Sequence, residues 1–350
     1  MRIGYIISHR GETGPNRVVM DLVKLMSAHG HECCVFYLRD VCSGGKDFEY
    51  PCEVRKISLW KGFIDYDGFD VIHSNGFRAN MFVFLHKPIK KCKTLFVTTL
   101  HSDIFEEFGI RFGSFLGPFL SWIFILANMR HDRIVALTEY AMSLYSTFYK
   151  NKKLSYIYNT RIMDRNANVS ADEKKEIKSF KNKGVLLGMT SELVEIKGIE
   201  TMLKAMTLLP NDFKLMIVGD GPLKKTFENR CKNLGIIGRV LFAGERHDAY
   251  RYIPFYDIFV QTSQSEGFSL SMLEAAAYGK KCVCSDLPIF SELYGDDVIK
   301  FKKSSEVNLA DAILEISIVP SCGENLKRRY MTNFSPELFY KNYYKLYCGK

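Results

Sequence analysis

No CxxC pair occurs among the ten cysteines, no GxGxxG turn follows an apolar run, and DxD occurs only once. Without CxxC, and with Cys33, Cys34, Cys282 and Cys284 inside apolar runs, thiolate metal centres are not expected and the cysteines read as buried free thiols. The opening MRIGYIISHRG carries a charge at Arg10 and reads as a short strand rather than a leader peptide. With that many free thiols, it points to a reducing, cytoplasmic setting. The first glycine turn is Gly11-x-x-Gly14, and although Asp40 follows the second apolar run, the fingerprint of a dinucleotide oxidoreductase is missing. A basic arm is also lacking. The net charge of +9 is spread as 20 Lys and Arg against 15 Asp and Glu in residues 1–160, and 28 against 24 beyond. So even an excess falls short of the stripe that nucleic acid requires, yet suits anionic substrates or an anionic membrane surface.

What is present is enough chain for two cores. At 350 residues, 47% hydrophobic and 25% charged, two ordinary globular domains are expected. Ile3 to Ser8 is an apolar run, followed by the glycine turn, by Pro15 at a helix start, and by apolar positions spaced helically from Val18 to Met26. Gly30 then closes the helix before the run Cys33 to Leu38, which makes a parallel βαβ unit. Further runs stand at Asp70 to His73, Thr94 to Leu100 and Arg133 to Leu137. After a polar stretch at 164–183 they resume at Val185 to Met189, Lys214 to Val218, Val240 to Ala243, Ile258 to Gln261 and Lys281 to Ser285. The expected class is therefore α/β, with two Rossmann-like, doubly wound parallel-sheet domains over 1–163 and 164–335 and the ligand between their strand C-terminal ends. The single DxD, Asp65 to Asp67, precedes a strand and so sits at the wrong sheet edge for a ligand; no metal is expected.

Residues 112–129 contain no charge over 18 positions. Gly113, Ser114, Gly117, Pro118 and Ser121 dilute the segment, and a span here would tear the first domain open. Two readings stay open: a buried core helix, or a helix exposing an apolar face to a bilayer surface, where Lys87, Lys90, Lys91 and Lys93 would meet anionic headgroups.

The stretch SQSEGFSLSMLEAAAYG, Ser263 to Gly279, carries the chemistry. Glu266 precedes a helix and Glu274 lies in its first turns. Eight helical steps would part them by about 12 Å, too far to share a metal or a proton. The amides of Gly267, Phe268, Ser269 and Leu270 at the helix start form an anion site. A diphosphate there, with Glu274 on ribose hydroxyls and Glu266 on a hexose, makes one ligand of the spacing: a nucleotide sugar. Against this stands a local reading in which Ser271 and Glu274 merely form a capping box.

Glu266-x7-Glu274 with its intervening GFSL, the alanine-rich helix, Gly279, KKCVCSD and SELYGD resembles glycosyltransferase family 4. Lys197-Gly198 before a helix, IVGDGP at Ile217 to Pro222, VLFAG at Val240 to Gly244 and YDIFVQTS at Tyr256 to Ser263 are similar to the family's successive signatures. DVIHSNG, TTLHSD, IVALTEY and YIYN in the first half agree more weakly, so the likeness covers nearly the whole chain. The resemblance implies the GT-B fold and a retaining, metal-independent hexosyltransferase acting on a nucleotide sugar, UDP-linked by preference. It implies an acceptor-binding first domain, a donor-binding second, and a C-terminal helix over 336–350 that returns to the first. It implies catalytic roles for His101, Glu266 and Lys197. Gly14 would keep the first loop small for the donor, and His73, Asn75 and Arg78 are acceptor-side candidates. No cofactor is expected. The even positive charge and the uncharged segment suit a lipid-linked saccharide acceptor in bacterial surface polysaccharide assembly, with peripheral contact at the inner membrane face.

One position departs from the family. Glu192 stands five before the lysine, where an arginine commonly supplies a second cation to the diphosphate. A carboxylate there opposes the leaving group by about 1 to 4 kcal/mol at 4 Å. Either it points away, or Arg246 or Lys281 compensates, or donor binding is weak. A degenerate non-catalytic partner and a sugar-nucleotide epimerase of the same fold remain the alternatives.

Overall fold

The computed structural model describes all residues except 41–46, 91, 150–152, 165, 167, 320–321 and 350, and all of their side chains except those at 111 and 322. Lys91 therefore lies outside the described residues. The chain divides into two compact units, Met1–Ile162 with Phe334–Lys350, and Met163–Asn333.

The first unit holds seven strands: β1 (Arg2–Ile7), β2 (Glu32–Tyr37), β3 (Glu53–Lys56), β4 (Val71–Asn75), β5 (Leu95–Leu100), β6 (Arg133–Ala136) and β7 (Leu154–Tyr156). They run parallel in the order β3-β2-β1-β4-β5-β6-β7. The second holds β8 (Val185–Thr190), β9 (Phe213–Val218), β10 (Val240–Gly244), β11 (Ile258–Gln261), β12 (Lys281–Ser285) and β13 (Ile299–Phe301), parallel in the order β10-β9-β8-β11-β12-β13. Crossover helices cover both faces, which is why β4 and β11 are buried along their whole length and read as continuous rather than alternating runs. The chain direction across each sheet reverses between β1 and β4, and between β8 and β11. Loops leaving the C-terminal ends of those strands splay apart and open a crevice.

The Asp65–Asp67 stretch lies at a short 3-10 turn, Tyr66–Gly68, ahead of β4 and so at the strand's N-terminal end.

The Pro336–Tyr347 helix belongs to the first unit. Thr160 donates to the carbonyl of Phe334 at 2.6 Å, which fastens the outgoing chain to the returning one. Tyr340 stacks on His29 with ring centroids 3.6 Å apart. Deeper, the Tyr347 hydroxyl is 2.7 Å from His73 Nδ1, the Thr99 hydroxyl is 2.9 Å from His73 Nε2, and Tyr343 is 3.0 Å from Thr99. Burial, followed by the nearby His101 and His131, pushes the His73 imidazole down to about 3. It is neutral at neutral pH, and a neutral ring can accept at one nitrogen while donating from the other.

Ile104–Asn128 is two helical segments joined at Gly113, whose φ of 80° is the left-handed conformation that glycine tolerates. Asp103 caps the first by accepting from the amides of Phe105 and Glu106. In the second, Ser121, Phe124, Ile125, Ala127 and Asn128 face the core. Phe115, Phe119, Trp122, Leu126 and Met129 form an exposed stripe, with Phe115 93% and Trp122 52% accessible. The segment is thus core on one side and uncovered apolar surface on the other. No described helix is long and apolar enough to cross a membrane.

Candidate active site

In the second unit the loops that follow β8 and β11, on either side of the strand reversal, are laced together. Ile196 O accepts from Gln264 N at 2.8 Å, and Lys197 O accepts from Thr262 Oγ1 at 2.8 Å. Gly198 makes this possible: its φ is 64°, and a Cβ would stand 2.0 Å from Thr262 O, so any side chain would part the two loops. The IVGDGP turn is pinned to the same loop, since Gly219, at φ 144°, would carry its Cβ 1.9 Å from Ser191 O.

The lacing brings together two side chains 69 residues apart in sequence: Lys197 Nζ donates to Glu266 Oε1 at 2.6 Å. Ser263 Oγ donates to the same oxygen at 2.7 Å, and Gln261 Nε2 at 3.0 Å. No hydrogen bond to Glu266 Oε2 is made among the described residues. The carboxylate is therefore held at one oxygen, with only 9% of its side chain exposed. Three donors converging on one oxygen of a nearly buried carboxylate fix its direction.

Residues 267–269 then turn into the Leu270–Ala277 helix. Ser269 is its N-cap, its hydroxyl accepting from the Met272 amide at 3.2 Å. Glu274 is consequently the fifth residue of the helix rather than the third after the cap, and the capping box between Ser271 and Glu274 does not form. Glu274 is 6% exposed and Phe268 7%. Amides in the first turn of any helix lack intrahelical acceptors, and this helix start follows directly on the paired Glu266 and Lys197 beyond the end of β11.

Of the cations that might offset Glu192, Lys281 bonds the Ser317 carbonyl from the N-terminal end of β12, the far edge of the sheet. Arg246 stands beyond the C-terminal end of β10 but pairs with Glu173 at 3.2 Å. Glu192 itself is exposed. Lys224, not singled out by sequence, pairs with Asp220 at 3.2 Å and approaches Gly244 from the same side as Arg246. Gln261 was missed as well, although an amide closing the run Ile258 to Val260 was a visible signal.

In the first unit His101 follows β5 and Asn75 ends β4; His101 Nε2 donates to Asn75 Oδ1 at 3.0 Å. Burial pushes His101 down to about 4, so the ring is neutral at neutral pH and its Nδ1 carries a lone pair. Asn75 is 4% exposed, and its Nδ2 is buried without a hydrogen-bond partner. Gly14 opens the first helix, and a Cβ there would meet nothing within 4 Å. Arg78 is exposed on the Phe77–His86 helix. His73 is not presented to a ligand: it is 1% exposed, and both ring nitrogens are taken by Tyr347 and Thr99. No group of three or more His, Cys, Asp or Glu among the described residues is arranged to hold a metal ion.

Comparison with known proteins bears on both units. The family described as Glycosyl transferases group 1 matches residues 170–331, and Glycosyltransferase Family 4 matches residues 13–164. The chain belongs to glycosyltransferase family 4. It is 29% identical over 323 residues to the O-antigen biosynthesis glycosyltransferase WclY of Escherichia coli, covering 89% of this chain and 88% of that one. To the N-acetyl-alpha-D-glucosaminyl L-malate synthase of Bacillus anthracis it is 23% identical over 314 residues, 86% of this chain and 80% of the other. Among solved structures, Anabaena Alr3699/HepE in complex with UDP-glucose matches at TM-score 0.82 and 18% identity over the whole of both chains. The fold of this family-4 chain is GT-B, each unit a Rossmann-like parallel sheet.

Proposed function

We propose that this glycosyltransferase moves a hexose, with retention of configuration, from a UDP-sugar to a hydroxyl of a lipid-linked saccharide in bacterial surface polysaccharide synthesis. The observation that carries the reading is the Lys197–Glu266 pair at the strand reversal of the second unit, beside a helix start followed by Glu274. The HepE structures, described with UDP and with UDP-glucose, and WclY, named for O-antigen biosynthesis, support the donor and the setting. In this scheme the diphosphate lies on the amides of Gly267 to Leu270, which lead into the Leu270–Ala277 helix, with Glu274 on the ribose and Glu266 on the hexose. Lys197 and those amides meet the charge of the departing diphosphate without a bound cation. The acceptor oxygen bonds to the anomeric carbon on the face from which the diphosphate leaves, and a departing phosphate oxygen takes its proton. On the first unit, neutral His101 steadies the transition state as a hydrogen-bonding group, and Gly14, Asn75 and Arg78 are the ligand-side residues. His73 is left out because its nitrogens are occupied.

Calorimetry tests the donor site. Wild-type protein binds UDP saturably, and Glu274→Ala weakens binding by about 100-fold, the loss of two hydrogen bonds to a charged group. No binding by the wild type, or equal binding by the variant, overturns the reading and leaves the non-catalytic partner that Glu192 alone would suggest.

The lipid-linked acceptor rests on the stripe Phe115, Phe119, Trp122, Leu126 and Met129. A stripe of this kind, in a segment with no charged residue from 112 to 129, exceeds what a soluble surface carries singly, and aromatic side chains suit the headgroup boundary. Lys90 and Lys93 are exposed, as is Ile89, whereas Lys87 is committed to Asp132 at 2.7 Å. Phe124, two residues from Trp122, is 6% exposed and belongs to the core. In flotation with vesicles containing anionic lipid, replacement of Phe115, Phe119 and Trp122 by Ser lowers recovery several-fold. Unchanged recovery removes the membrane contact.

A further inference from the structure

β11 ends on a side chain that a central strand does not call for. Ile258, Phe259 and Val260 are apolar and buried, and Gln261 after them is an amide with 4% exposure. Both ends of the amide are used. Nε2 donates to Ser263 Oγ at 2.7 Å and to Glu266 Oε1 at 3.0 Å, while Oε1 accepts from Ser271 Oγ at 3.2 Å. Ser271 is the second residue of the Leu270–Ala277 helix, so one buried side chain ties the loop carboxylate to the helix start.

We infer that Gln261 is a positioning residue: it holds the Glu266 carboxylate by Oε1, so that Oε2 is presented to the sugar, during the period when Lys197 has turned to the diphosphate. The inference rests on the assignment of Glu266 to the sugar end of the donor. In the structure Lys197 and Glu266 neutralise one another. A bound diphosphate competes for the same ammonium, and as Lys197 moves toward it, Glu266 loses its counter-ion. A nearly buried carboxylate that loses its counter-ion keeps its direction only if other donors hold it. With Gln261 and Ser263 in place, two neutral donors remain on Oε1 and the direction of Oε2 is kept. The groups facing Glu266 are Lys197 from the loop after β8, Gln261 and Ser263 from the end of β11, and Tyr294 from the Pro288–Tyr294 helix. The Tyr294 phenol is pushed well above its ordinary range by burial, then by Cys282, Cys284 and Glu266. Of these only Gln261 donates to Glu266 while also being held by the donor helix. Its amide is suited to the task in a way that neither neighbour in chemistry is: Leu would leave Oε1 to Ser263 alone, and Glu would set a second carboxylate against the lysine and retain it.

The test uses the full chain and a panel of UDP, UDP-glucose, UDP-galactose and UDP-N-acetylglucosamine. It is read as the ratio of affinity for the best-held sugar conjugate to affinity for UDP. Gln261→Leu is expected to bind UDP within about twofold of wild type while the ratio falls about tenfold. Ser271→Ala, which removes only the hydroxyl that orients the amide, should lower the ratio by about threefold and keeps the question answerable if Gln261→Leu does not fold. Equal loss for UDP and conjugate in both variants means a merely structural role and overturns the proposal, as does an unchanged ratio. Glu266→Gln separates the two levels. If it leaves the ratio intact, or if wild type holds no conjugate better than UDP, the sugar assignment of Glu266 falls and Gln261 with it. If it collapses the ratio while Gln261→Leu does not, only the role of Gln261 falls.

Discussion

Replacement of Lys197 by Ala lowers kcat/KM for the UDP-sugar by about 10³, with most of the loss in kcat. The lysine's partner in the structure is a carboxylate, but the negative charge it meets in reaction grows as the sugar departs, and interactions that strengthen in the transition state act on kcat. Removing one preorganised donor from a developing oxyanion costs about 10² to 10³ in other enzymes. The upper end is expected here because Glu192 occupies the place of the usual arginine, Arg246 is paired with Glu173, Lys224 with Asp220, and Lys281 is bonded at the opposite sheet edge. Lys197→Arg should recover only part of the rate, since a planar fork does not reproduce a compact ammonium between two loops held by Gly198. Steady-state transfer from a labelled donor measures both. A loss below about fivefold for Lys197→Ala would mean that the diphosphate charge is met elsewhere, with Arg246 the first residue to replace.

The strands that the sequence made legible are those buried on both faces. Runs such as Ile258 to Gln261 and Lys281 to Ser285 coincide with β11 and β12, because a strand covered by helices on both sides must be apolar throughout. The strands it hid are β3, β7 and β13, which read EVRK, LSY and IKF. Each lies at a sheet edge, is three or four residues long, and keeps contact with solvent, so no apolar run marks it. The Ile104–Asn128 helix shows a different limit. Absence of charge indicates that water is not the intended neighbour but cannot say which face the sheet takes, and Trp122 and Phe124 differ only in that. His73 was unreadable for a third reason: its partners are 26 and 274 residues away, and a histidine at a strand end looks the same whether it meets a ligand or a returning helix. In the donor loop the residue types were plain and the lacing was not. Ser269 and Ser271 are both residue types that cap, and because Ser269 takes the cap, Ser271 and Glu274 form no capping box.

Glu266→Gln should move two quantities in opposite directions, which distinguishes it from every variant that merely damages the loop. Transfer falls by about 10² to 10³, while UDP is held as tightly as before or slightly more tightly. Gln has the shape of Glu, but three donors, Lys197 Nζ, Ser263 Oγ and Gln261 Nε2, converge on Oε1. An amide can offer its oxygen to them only without charge, or else it sets an NH₂ group against them, and in either case the direction and the charge presented to the sugar are lost. Lys197, meanwhile, no longer has a carboxylate to leave before it reaches the diphosphate, so binding of the nucleotide alone does not suffer. Lys197→Ala should weaken UDP as well as slow transfer, and the double variant should bind UDP no worse than Lys197→Ala alone. Residues in direct contact couple in this way, and the size of the non-additivity measures how far the two charges restrain one another. Were Glu266→Gln to lose UDP and transfer in equal proportion, the carboxylate would be holding the loop together, and the exchange of Lys197 between two anions would have no part in the reaction.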